Sequence, residues 1–163
     1  MGVCLRLTMI YFKTKGEKSM SKLHLLCELN DENYTLASFS FYENFQDAVQ
    51  NAIKACKEWN EDCEVHAGKE LRITANCGDS FYVTEIKQVW TELGTHLLVW
   101  HHGYQGVNFE VRHQGTYEDC KKAMEKEVQK LKDDLGLHDK DINDNVIDTG
   151  DEWEVFDIIK IKA

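Results

Sequence analysis

Trp100-His101-His102-Gly103-Tyr104, with His113 a short way downstream, is the densest group of side chains in the chain that could hold a metal or move a proton. Imidazoles ligate zinc and titrate near neutral pH, and the flanking rings could stack on a flat ligand. The spacing restricts that chemistry. Adjacent strand residues point to opposite faces, so His101 and His102 cannot both reach one ion. Trp100, His101, His102 and Tyr104 are therefore candidate ligand-binding residues rather than a metal centre.

Two other groups fail similar tests. Cys63 and His66 have a ligand-like spacing, but no second such pair completes a tetrahedron. In Asp139-Lys140-Asp141-Ile142-Asn143-Asp144-Asn145, carboxylates and amides alternate as they do in a calcium loop. The sixth position, however, is Asp144 where the sharp turn wants glycine, and the twelfth is Gly150 where a bidentate glutamate should close the shell. Glycine-rich phosphate loops, G-x-S-x-G elbows, Cys-x-x-Cys pairs and H-E-x-x-H helices are all missing. The expectation is no catalytic residue, no metal and no cofactor, hence a non-enzymatic protein, with a Cys-His or metal-dependent enzyme as the weakest reading.

What positions these residues is an internal duplication. Residues 24–89 and 96–161 align without a gap at an offset of 72, placing His24-Leu25-Leu26 on His96-Leu97-Leu98, Asp47 on Asp119, and Gly78-Asp79 on Gly150-Asp151. Eleven of the 66 columns are identical, where composition alone would give roughly four. Each copy contains a helix start, Asn44-Phe45-Gln46-Asp47 and Thr116-Tyr117-Glu118-Asp119, with a capping side chain followed by acid or amide in the first turn. Phe45, Ala48, Val49, Ala52, Ile53, Cys56 and Trp59 then recur at helical steps, as do Tyr117, Cys120, Met124, Val128, Leu131 and Leu135. Lys121 and Glu125 replace Val49 and Ile53, so the second helix should bury a narrower stripe. Two extended segments precede each helix and two follow it. The sequence thus predicts an α+β chain of two tandem ββαβ(β) repeats related by pseudo-twofold symmetry, with antiparallel sheet or sheets and one helix per repeat. His24 and His96, at matched strand starts, could face one another across that axis.

Residues 23–163 are expected to form one compact domain of two repeats, preceded by a basic extension or leader, residues 1–22, with Met20 an alternative start. No apolar run approaches the length of a membrane span, and six cysteines without a secretory leader suit reduced thiols in a cytoplasm. Cys56 and Cys120 fall on helix core faces.

The formal charge is −10, split as +4 on residues 1–22 and −14 on the remainder. Such a body repels free nucleic acid and anionic membranes. Ten carboxylates lie between Lys132 and Asp157, against two lysines. Asp133, Asp134, Asp139, Asp141, Asp144, Asp148, Asp151 and Glu152 are the candidate partner-binding surface, fitted to a basic groove on another protein, with the chain acting as an inhibitor or nucleic-acid mimic. The alternative is a small-ligand or nucleotide-derivative binder using the cleft between the repeats. Its sign is wrong for an anionic ligand unless Arg72, Arg112 or the lysines converge locally. A monomer or homodimer satisfies either reading.

Overall fold

Period-two burial on both faces of the long strands determines the layering. In β1 (Lys22–Asn30), Leu23, Leu25, Cys27 and Leu29 pack on one side while Leu26 is buried on the other. A strand covered on both faces needs a layer above and a layer below. The computed structural model describes residues 21–30, 36–59, 64–67, 72–77, 80–103, 107–143, 145–149 and 153–162. Within them the chain is α+β, with two antiparallel five-stranded sheets and two helices.

The first half supplies β1, β2 (Ser38–Tyr42), α1 (Phe45–Trp59), β3 (Glu64–Ala67), β4 (Arg72–Cys77) and β5 (Ser80–Trp90), in sheet order β2-β1-β5-β4-β3. The second supplies β6 (His96–Gly103), β7 (Val107–Gly115), α2 (Tyr117–Leu135), β8 (Ile142–Asn143), β9 (Val146–Asp148) and β10 (Trp153–Lys160), in sheet order β7-β6-β10-β9-β8. Registers agree at the 72-residue offset: Leu26 pairs with Ile86 as Leu98 does with Ile158, and Thr74 pairs with Val83 as Val146 does with Val155. Each half carries one strand beyond the sequence expectation. β3 spans four residues and β8 two, too short for a period-two pattern to show.

The sheets pack face to face. Leu23, Leu25, Cys27, Leu29, Val83 and Val89 of the first meet Leu97, Val99, Val107 and Phe109 of the second in one buried cluster. On the outer face of the first sheet, Leu26, Ile73, Ala75 and Ile86 hold Ala48, Ala52 and Cys56 of α1. On the outer face of the second, Leu98, Ile147 and Phe156 hold Cys120 of α2. The order is therefore helix, sheet, sheet, helix. Cys120 is the one fully buried residue of α2, as its narrower apolar stripe requires.

Both helices begin as their sequences direct. Asn44 Oδ1 accepts the Gln46 N–H at 2.8 Å, and Thr116 and Asp119 form a reciprocal capping box. The Thr116 hydrogen bonds hold the Asp119 carboxyl below the usual range. His24 and His96 do not meet. Both lie on helix-facing strand positions, His24 against Phe45 at 5.3 Å between ring centres and His96 against Tyr117 at 5.6 Å. Burial lowers the His24 pKa, with Lys22 adding to the effect. The extension falls almost entirely outside the described residues, as do the Gly78-Asp79 and Gly150-Asp151 turns and Cys63.

The connection between halves is tightly fixed. A 3-10 turn, Thr91–Leu93, leads to Gly94 at φ 153°, where an added Cβ would stand 2.4 Å from the Gly115 Cα. Gly136, which ends α2 at φ 64°, has open space around that position. Gly94→Ala should cost more than ~2 kcal/mol, since neither backbone can yield. Gly136→Ala should cost about 1 kcal/mol, from left-handed backbone alone. Urea denaturation of both variants checks this order, and equal costs would refute the close glycine contact as the source.

Candidate functional site

Charges in the middle of an apolar strand mark the site. On β5, Val83, Glu85, Lys87 and Val89 share the face turned toward the second sheet, and only the valines suit an apolar layer. Glu85 is 5% exposed. A carboxylate so placed must be paired or lose its charge. Its cross-strand partner on β4 is Arg72, whose Nη1 lies 3.3 Å from Oε1, while Lys87 Nζ lies 2.6 Å from Oε2. The Phe109 backbone N–H of the opposite sheet donates to the same Oε2 at 3.4 Å. β7 is an edge strand, so some of its N–H groups look outward for acceptors. Arg72 Nη1 also donates to Asn108 Oδ1 at 3.2 Å. Two hydrogen bonds thus join the sheets at this carboxylate and its arginine.

Between them opens a cavity of about 240 Å³, lined by Arg72, Glu85, Lys87, His102, Asn108, Phe109 and Glu110. Part of its wall is built by His102 of β6 and by Asn108, Phe109 and Glu110 of β7. His102 stacks on Trp100 with ring centres 4.4 Å apart and planes 19° from parallel. The Arg112 guanidinium lies 4.1 Å from the centre of the Trp100 ring, a favourable cation–π contact. A one-residue register shift between Leu98 and Val99 aims it there: Val99 pairs with Val111 and Leu98 with His113, leaving Arg112 as the extra residue. Trp100 Nε1 donates to the buried Glu154 carboxylate. The corresponding columns of the first half hold the same pair with sides exchanged, Tyr82 donating from β5 to Glu28 of β1 at 2.9 Å.

Sequence-predicted residues separate at this cavity. His102 lines it and Trp100 supports it, but His101 turns to the inter-sheet layer and is fully buried against Phe109 and Trp153. Tyr104 lies outside the described residues. Of the acidic candidates, Asp133 and Asp134 are exposed on α2, Asp148 is exposed on β9, and Asp139 is exposed and bridged to Lys132, whose ammonium holds its carboxyl below the usual range. Asp141 Oδ2 accepts the His138 N–H at 2.8 Å, a capping task. Asp144, Asp151 and Glu152 lie outside the described residues. Glu154 and Asp157, the last of the ten carboxylates, turn inward instead of joining a solvated face.

Sequence reasoning misses Glu85, Lys87 and Asn108. A signal for the first is present at the 72-residue offset: Glu85 aligns with Asp157, an acid at an inward position in both halves. Asp157 lacks the two cations that Glu85 has. Asn145 Nδ2 donates to its Oδ1 at 3.2 Å and His101 Nδ1 stands 3.6 Å from its Oδ2. Burial raises its pKa to about 6. Burial also pushes the Cys27 thiol far up, with Glu85, Glu28 and Asp157 adding to the rise and Lys87 opposing it. The Cys56 thiol is pushed up to about 11 and that of Cys120 is raised, in both cases by burial above all. These are structural thiols, protonated and poorly nucleophilic. Among the described residues no group of three or more His, Cys, Asp or Glu side chains could hold a metal ion, and no helix is long and apolar enough to cross a membrane.

Asp157 makes stability depend on pH in a definite direction. Its folded pKa of about 6 lies above the unfolded value, so between about pH 4 and 6 the folded state binds the extra proton and stability falls as pH rises. The loss is on the order of 3 kcal/mol. Asp157→Asn removes it, so the variant should gain on the wild type between about pH 4 and 7 when both are denatured in urea. A difference between the two proteins that does not move with pH would refute this assignment.

Compared with known proteins, the chain matches no family model, no curated protein and no solved structure.

Proposed function

We propose that this chain is a non-catalytic binding protein that holds a small ligand in the cavity where the first sheet meets the edge strand β7. The observation that carries the reading is the convergence of Arg72 and Lys87 on the wall of a recessed cavity, beside the His102 ring. In a chain of net charge −10, recessed cations are the local condition that a site for an anionic small ligand requires. At about 240 Å³ the cavity is below the drug-sized range, which suits a metabolite-sized guest. Support for a non-catalytic role comes from the described buried cysteines, all with raised pKa values.

The same reading includes the relation between halves. Matched sheet order and matched registers support two copies of one unit related by a pseudo-twofold axis. The second copy then supplies His102, Asn108 and Glu110 to the lining and the first supplies its cations. Residues of both halves are needed to make the cavity.

A second reading is favoured by exposure: Asp133, Asp134 and Asp139 stand in solvent along the end of α2 and the turn after it, available to a basic protein partner. If that partner exists, Asp133→Asn, Asp134→Asn and Asp139→Asn together should weaken a salt-sensitive complex recovered from the native host by about tenfold or more, measured by surface binding. Unchanged affinity would dismiss this surface.

For the cleft, thermal stabilisation across a panel of small metabolites should return hits that raise Tm in the wild type. A ligand at about a hundred times its Kd adds about 2.7 kcal/mol. The gain should disappear in His102→Ala and shrink in Trp100→Ala, which removes the support of the ring. Stabilisation that survives His102→Ala would place the ligand elsewhere.

A further inference from the structure

The charges lining the cavity define what it accepts. Arg72 and Lys87 contribute two positive charges, and Glu85 and Glu110 contribute two negative ones. Glu110 is engaged elsewhere: its Oε2 lies 3.2 Å from Arg112, a residue outside the lining. Glu85 is shared by both lining cations and also accepts from the Phe109 N–H, so its oxygens are occupied. Two cations with one committed carboxylate leave one positive charge over. Both cations retain donors. A guanidinium has five N–H groups and an ammonium three; the bonds to Glu85 and Asn108 engage a single arginine nitrogen, Nη1, and the pairing with Glu85 engages one direction of the lysine ammonium. The Arg72 and Lys87 side chains are 28% and 32% exposed, open enough for a guest to reach and sheltered enough for charge to count.

We infer that the cleft is built for a small monocarboxylate, whose single negative charge balances the surplus at Arg72 and Lys87 while its body lies beside the His102 ring. Fork-shaped recognition by arginine suits a carboxylate. A phosphate dianion would overshoot the surplus by one charge and stand against Glu85 and Glu110. A neutral amide of the same shape would leave the surplus unbalanced. The inference rests on the cleft being the binding site, and names its ligand class.

Benzoate, benzamide and inorganic phosphate serve as probes, titrated into the isotope-labelled full-length chain and followed by amide chemical shifts. Benzoate should shift the amides of Glu85, Lys87, His102, Asn108 and Glu110 saturably, benzamide should not, and phosphate should bind about tenfold more weakly. Lys87→Met should weaken benzoate by about tenfold or more. Glu85→Gln removes the committed anion and should act oppositely, tightening benzoate and improving phosphate; a variant that merely loosened the fold would weaken both. Benzamide binding as well as benzoate, or weaker benzoate binding in a folded Glu85→Gln, overturns the monocarboxylate inference and leaves the cleft as a site for another class. No shift at these residues with any of the three probes overturns the inference and the cleft reading together.

Discussion

The two sheets depend on one shared layer. One helix covers the outer face of each, and the inner faces, with Leu23, Leu25, Cys27 and Leu29 on one side and Leu97, Val99, Val107 and Phe109 on the other, are buried against each other. Each of these side chains contributes roughly 1.5 to 3 kcal/mol when removed from water, a gain available only when both halves are present. This shared layer explains why the connection is short and close, with Gly94 against Gly115 and Gln114 donating to the Trp90 carbonyl. It also makes any polar group within the layer costly.

Two carboxylates nevertheless sit there, at equivalent positions. Glu85 is accommodated by importing charge: arginine across the strand, lysine two residues along, and a backbone N–H from the opposite sheet. Asp157 has Asn145 and the His101 ring close by instead, and burial raises its pKa to about 6, so its charge is carried at a cost to stability above that pH. The contrast has a chemical consequence. Imported cations leave donors that can serve a guest, whereas the surroundings of Asp157 bring none of that kind. The cavity accordingly lies beside Glu85.

Much of this fold was legible in the sequence, because its strongest signals are local. Asn44 and Thr116 announce helix starts whose side chains form the predicted caps, and the replacement of Val49 and Ile53 by Lys121 and Glu125 foretells the lighter burial of α2. The layering was not legible, since alternation says which residues share a face but not what lies opposite it. That ambiguity misplaced His24 and His96, whose column match suggested a meeting while their parity turns each toward its own helix. It also hid Glu85 and Lys87. Charged residues in a strand ordinarily read as outward, and the local sign that these point inward is the pair of valines flanking them on the same parity.

The halves diverge most where the site lies, and the divergence has a mechanical cause. In the first sheet β1 and β2 pair without interruption, Cys27 on Phe39 and Leu25 on Phe41. In the second, the bulge beside Leu98 adds Arg112, which turns onto the Trp100 ring. At the 72-residue offset Trp100 aligns with Glu28 and Glu154 with Tyr82, so the aromatic donor lies on β6 in one half and on β5 in the other, and both halves have the hydrogen bond. Moving the ring to β6 brings it alongside His102. That stacked pair has no counterpart in the first copy, where the matching columns hold Glu28 and Asn30. The bulge and the exchanged pair thus accompany a stacked aromatic pair on one half, of which His102 reaches the cavity wall that carries the cations of the other half.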